Sequence, residues 1–166
     1  MSIYQKLRSK LADNVNSAIS TGFQHHQNDL GVRKTHLFED RYENIYLNDQ
    51  QIPELKTLID ESTEYAQSIL KRQDLRAGYW FNYMPPGATT TLHTHDDDDE
   101  LLSAVYYVDV PENSGNLIIH QDSEKINIRP ETREFIFFKL DVRHEVSRNN
   151  SSEHRLSIGI NFGPDE

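Results

Sequence analysis

The chain has 166 residues, with 17 Lys+Arg against 27 Asp+Glu and a formal charge of −10. That acidity excludes general binding to nucleic acid or to anionic membranes, both of which need a basic face. Cysteine is absent, so disulfides, thiolate nucleophiles and Cys-based zinc sites are excluded, and any metal must be held by His, Asp and Glu.

The length suits one domain, residues 1–166, with a core of useful size. No apolar run approaches the ~18 residues needed to span a bilayer. The opening MSIYQKLRSKLADN has no apolar signal-peptide core, so a soluble cytoplasmic protein is expected.

Residues 1–75 read as a helical N-terminal support. Ile3, Leu7, Leu11, Val15 and Ile19 recur every four residues, which predicts a helix with Gly22 as its C-cap. Pro53 suits the first turn of a second helix, whose apolar side is Leu55, Leu58, Ile59, Tyr65, Ile69 and Leu70. Between them, THLFEDRYENIYL is aromatic and β-branched enough for one or two strands.

From Gly78 to Phe162 the pattern changes to short strands: GYWFNYM, TTTLHTH, LLSAVYYVDV, NLIIHQ, KINIR, REFIFFKL, RHEVS and HRLSIGINF. The turns MPPGA, PENSG, RPET and RNNSS separate several of them. Regularly spaced short strands predict a double-sheet jelly roll, with the two helices packed outside one sheet.

Eight histidines offer metal ligands. His25, His26, His36, His120 and His154 read as polar surface groups. His93 and His95 differ, because residues two apart on a strand share a face, with Asp97 following if the strand continues. Imidazole and carboxylate together suit Fe(II), Mn(II) or Zn(II). A third ligand must come from a distant strand, and His144, after the apolar FIFFKL, is the best candidate. The run DDDDE reads mainly as a solvated loop, from which Asp97 or Glu100 would turn inward.

Taken in order, WFN, PPG, LHTH, SAVYYV, PENSGNLIIH, FIFFKLDVRHEV and NNSSEHRLSIGINF resemble the 2-oxoglutarate- and Fe(II)-dependent oxygenases, particularly their prolyl-hydroxylase-like branch. The resemblance covers about half the chain and implies a double-stranded β-helix, a form of jelly roll. It implies Fe(II) in a facial triad, with O2 used to oxidise 2-oxoglutarate to succinate and CO2. Arg155, eleven residues after His144, would hold the far carboxylate of 2-oxoglutarate with its bidentate fork. Ser157, Gly159 and Asn161 share its strand face, and Tyr107 would hydrogen-bond the same carboxylate. Asn82, Asn161 and Trp80 are candidate pocket residues, and the substrate would be a small molecule or a protein side chain.

The ligand register stays open. With His93 first, His95 occupies the place of the family's carboxylate. A slide by two residues makes His95-Asp96-Asp97 the motif, with Asp97 as the carboxylate. His93 is favoured on register, with His95 and Asp97 competing for the second position. An alternative is a cupin pattern, in which Gly87 precedes a His93, His95, Glu100 and His144 ligand set without 2-oxoglutarate.

Overall fold

The computed structural model describes residues 3–93 and 99–165, with His93 described through its backbone. Eleven strands and two helices are found among them, in the order β1 (Tyr4–Arg8), α1 (Asp13–His26), β2 (Arg33–Phe38), β3 (Arg41–Tyr46), α2 (Glu54–Leu70), β4 (Leu75–Met84), β5 (Thr90–His93), β6 (Leu102–Asp109), β7 (Leu117–Gln121), β8 (Glu124–Ile128), β9 (Glu134–Phe138), β10 (Arg143–Val146) and β11 (Arg155–Pro164). They form a seven-stranded sheet, β1-β9-β6-β11-β4-β3-β2, and a four-stranded sheet, β5-β10-β7-β8. All ladders are antiparallel, and the two sheets make a double-stranded β-helix.

A strand forms within each of the eight stretches expected after residue 75, because each is an apolar or alternating run bounded by turn residues; Thr94 and His95, the end of TTTLHTH, lie outside the described residues. On β6 and β11 alternate residues go to opposite faces. Tyr106, Leu156, Ile158, Ile160 and Phe162 join α1 and α2 in one core, with Phe23, Leu55 and Leu58 at its centre. Tyr107, Ile136 and Phe138 face the other way and pack with Leu117, Ile119 and Ile128 between the sheets.

The N-terminal region departs from the expected helical support. Residues 3–8 are not helical: Tyr4–Arg8 pairs with β9 along its whole length, and the helix begins only at Asp13. A period of four fits a strand as well as a helix, because it is a multiple of two. Gly22 lies inside α1 rather than capping it. A Cβ there would sit 2.8 Å from Ile52 Cγ1, so glycine permits the close approach to the chain entering α2. The helix runs on through His25 and His26. Strands β2 and β3 form one hairpin, turned at Glu39 and Asp40, which both have left-handed φ of 50° and 65°. The hairpin joins the large sheet at the open side of the sandwich through β3, where Ile45 pairs with Phe81.

Candidate active site

The two sheets are packed together at one end and part at the other around a cavity of about 360 Å³. Its floor and walls come from both sheets. The large sheet contributes Arg155, Ser157, Gly159 and Asn161 from β11, Tyr107 from β6, Trp80 and Asn82 from β4, and residues of the β2–β3 hairpin. The small sheet contributes Thr90, Thr91, Leu117, His144 and Val146. Gly159 is required beside Trp80, since a Cβ there would lie 2.5 Å from the indole ring.

His144 is 6 % exposed and faces this cavity from β10. Its Nδ1 lies 3.2 Å from the Val142 carbonyl. A carbonyl can only accept, so in the neutral ring Nδ1 carries the proton and Nε2 keeps its lone pair for a ligand role. The edge of the Phe138 ring meets it at 4.7 Å and fixes the imidazole plane. The residue directly opposite His144 on β5 is His93. Opposed residues of an antiparallel pair occupy one face of the sheet, so the two histidine positions are neighbours although 51 residues separate them in the chain. His95 and Asp97 lie outside the described residues.

Glu100 is turned elsewhere. Its Oε1 accepts from Arg76 Nη1 at 3.3 Å, while Asp99 takes the other guanidinium nitrogen at 2.6 Å. It does not line the cavity. The cupin alternative needs Glu100 turned inward, whereas its carboxylate pairs with Arg76.

Arg155 is 1 % exposed and has no carboxylate partner among the described residues. Its guanidinium lies over the Tyr107 ring at 5.4 Å, Nη1 reaches only the sulfur of Met84 at 3.3 Å, and Nε has no hydrogen-bond partner. Burial pulls the guanidinium below its ordinary value, with Tyr107 opposing and the like charge of Arg41 adding to the fall. Tyr107 is fully buried and its Oη also lacks a partner; burial pushes the phenol up to about 12, with Arg155 pulling the other way. A buried cation and a buried phenol facing one cavity with unused donors are costly unless an acceptor joins them. An anionic ligand with carboxylate oxygens fits both.

His36, read as a polar surface group, and Glu43, which the sequence does not single out, belong to the cavity wall. His36 lines it from β2, held in a left-handed conformation (φ 61°), and Glu43 lines it from β3 at 6 % exposure. No spacing signal marks either one. Their placement depends on how the hairpin bends over the sandwich. His120 pairs with Glu145, and His154 stacks on Tyr83 at 4.6 Å, away from the cavity. Asn82 lines the cavity, but its amide is engaged: Oδ1 accepts from Arg41 and Nδ2 donates to Thr90. Asn161 accepts from Ser103 through Oδ1, which leaves its NH2 as the group it presents.

A family model described as the 2OG-Fe(II) oxygenase superfamily matches residues 79–163, just over half of the chain. The chain belongs to that superfamily. It is a 2-oxoglutarate- and Fe(II)-dependent oxygenase. The solved structures agree on the fold. A Pseudomonas putida prolyl-4-hydroxylase superposes with a TM-score of 0.78 at 18 % identity, over 97 % of this chain and 92 % of that one. The carbocyclase SnoK from nogalamycin biosynthesis gives 0.79 at 15 %, over 98 % and 79 %. A prolyl hydroxylase from Trichoplax adhaerens, in complex with a hypoxia inducible factor oxygen degradation domain peptide fragment, gives 0.73 at 13 %, over 99 % and 84 %. No curated protein matches the sequence. The oxygenase has no helix among its described residues long and apolar enough to cross a membrane.

Proposed function

We propose that this oxygenase is a hydroxylase whose iron is held by His93 and His144 together with His95 or Asp97, and whose 2-oxoglutarate is held by Arg155 and Tyr107. The observation that carries the cosubstrate assignment is that Arg155 Nε and Tyr107 Oη, buried on one cavity wall, have no hydrogen-bond partner. Bound iron with 2-oxoglutarate and O2 supplies the oxidising chemistry, releasing succinate and CO2. The chain's own residues do the rest. Arg155 offers a rigid fork to the carboxylate in a water-poor setting, where each charge-assisted bond is stronger than in solvent. Tyr107 stays protonated at working pH and donates one further hydrogen bond. His144 presents Nε2 because Val142 occupies Nδ1–H.

Substrate is placed against the part of the cavity lined by His36, Asn44, Tyr46, Trp80 and Asn161. Those groups offer amide and phenol hydrogen bonds and one indole face, which suits a polar side chain of a protein or a small polar metabolite. The backbone register supports His93 as a ligand, since it opposes His144. With His93 as first ligand, the second is His95 or Asp97.

The reading is tested by anaerobic reconstitution with Fe(II) followed by addition of O2 and 2-oxoglutarate. Succinate should form even without substrate. It should cease in His93→Ala and His144→Ala, and Arg155→Ala should lose 2-oxoglutarate binding while keeping metal. Metal uptake with no 2-oxoglutarate response in the wild type would overturn the cosubstrate assignment.

A further inference from the structure

Strand β5 carries His93 and lies at the edge of the small sheet, so it has a ladder on one side, to β10, with an irregularity between His144 and Val146. An edge strand leaves a row of backbone groups without ladder partners. Side chains of the β2–β3 hairpin bond to this segment. The Glu43 carboxylate accepts from the Thr91 backbone N–H at 2.9 Å and from the Thr91 hydroxyl at 2.7 Å. Arg41 donates to the Thr89 carbonyl at 2.9 Å and to Thr90 Oγ1 at 3.2 Å, and through its other nitrogen to Asn82 and the Tyr83 carbonyl. The two charges lie 3.8 Å apart and balance each other. His36, with its left-handed φ, stands across the hairpin from Glu43, between the pairs Thr35–Asn44 and Leu37–Tyr42.

We propose that Glu43 is a positioning residue for the metal ligand His93, acting through Thr91 to fix β5. A carboxylate is needed for this. It accepts from an N–H and an O–H at once and carries the charge that strengthens both bonds, whereas glutamine would keep them only as neutral bonds, with the Thr91 hydroxyl rotated to accept from its NH2. The bonds are charge-assisted and shielded from water, so they are stronger than ordinary side-chain contacts. Arg41 holds the neighbouring residues Thr89 and Thr90, and His93 is two residues beyond Thr91. Metal affinity therefore depends on a hairpin that touches no metal. The proposal rests on the assignment of His93 as a ligand.

The test is Mn(II) binding to the full chain, titrated by electron paramagnetic resonance, for wild type, Glu43→Gln, Thr91→Val, Thr91→Ser and His93→Ala. Glu43→Gln and Thr91→Val should each weaken Mn(II) binding roughly tenfold, the low end for loss of a residue that orients a metal ligand. Thr91→Ser keeps the hydroxyl and should bind as wild type does. At saturating metal, kcat for succinate formation should recover toward wild type. A lowered Tm with unchanged Mn(II) affinity, or equal weakening in Thr91→Ser and Thr91→Val, overturns the positioning role. Should His93→Ala bind Mn(II) as tightly as wild type, the ligand assignment itself fails. Should His93→Ala lose metal while Glu43→Gln and Thr91→Val keep it, only the positioning role fails.

Discussion

Replacing Arg155 by methionine should stabilise the ligand-free protein and abolish its response to 2-oxoglutarate. Arg155 is 1 % exposed, its Nε is unpartnered, and the charged group acting on it most is the like-charged Arg41 after Tyr107. A buried charge in such a setting costs several kcal/mol even after relaxation. Methionine has similar length, packs beside Met84 and carries no charge. By analogy with buried ionic groups replaced by apolar ones, the expected gain is about 1–4 kcal/mol. For a chain of this size each kcal/mol moves Tm by about 2–4 °C. The wild type should show the opposite dependence on ligand. At a 2-oxoglutarate concentration one hundred times its Kd, linkage adds about 2.7 kcal/mol, or roughly 5–11 °C. Thermal unfolding of the Mn(II)-loaded protein with and without 2-oxoglutarate reads both effects. If Arg155→Met melts lower than wild type and keeps the full 2-oxoglutarate shift, Arg155 is an ordinary core residue and the cosubstrate assignment is wrong.

Tyr107→Phe should leave folding intact, because the lost Oη has no partner in the ligand-free protein, but raise the KM for 2-oxoglutarate. A hydrogen bond to a charged group is worth about 1.5–3 kcal/mol, so steady-state succinate assays should show roughly a tenfold to hundredfold rise. The same phenol gives an alkaline signature. Its pKa is about 12 in the fold, above the ordinary tyrosine value. Between about pH 10 and 12 the unfolded chain therefore loses a proton that the folded chain retains, and stability falls as pH rises through that window. Tyr106, also raised by burial, acts in the same direction, so denaturant midpoints measured across this range should fall less steeply in Tyr107→Phe without becoming flat.

The jelly-roll half of the fold was legible because its strands are apolar runs between turn residues, and His144 and Arg155 could be found because they sit at the ends of such runs. The N-terminal half was harder. Ile3 and Leu7 fit a helical period equally well, and only pairing with β9, more than 120 residues away, makes their segment a strand. Spacing paired His93 with His95, and His144 was added as the histidine after an apolar strand; the ladder makes His93 and His144 a direct cross-strand pair. His36, Arg41 and Glu43 gave no signal. RYEN reads as a charged hairpin strand in sequence, and its role arises from a long-range contact with Thr89, Thr90 and Thr91 that no local pattern encodes.

The cavity wall holds a buried arginine and its neighbourhood a half-buried one, and their partners separate their roles. Arg41 donates to Asn82, the Tyr83 and Thr89 carbonyls and Thr90, and lies 3.8 Å from Glu43. Burial pulls it below its ordinary value, but Glu43 is the largest influence in the other direction. Arg155 has a sulfur contact and an aromatic face, and a nitrogen with nothing. The same substitution should therefore act with opposite sign at the two sites. Arg41→Met strands the Glu43 carboxylate and several carbonyl and hydroxyl acceptors. Breaking one half of a buried pair costs about 3–5 kcal/mol, so Tm should fall by roughly 6–20 °C. Metal affinity should fall with it, as β5 loses its anchor, while the 2-oxoglutarate shift persists once metal is saturating. Arg155→Met should instead raise Tm and remove that shift. If the two variants change Tm in the same direction, partner count does not distinguish an arginine built to hold the fold from one held open for a ligand.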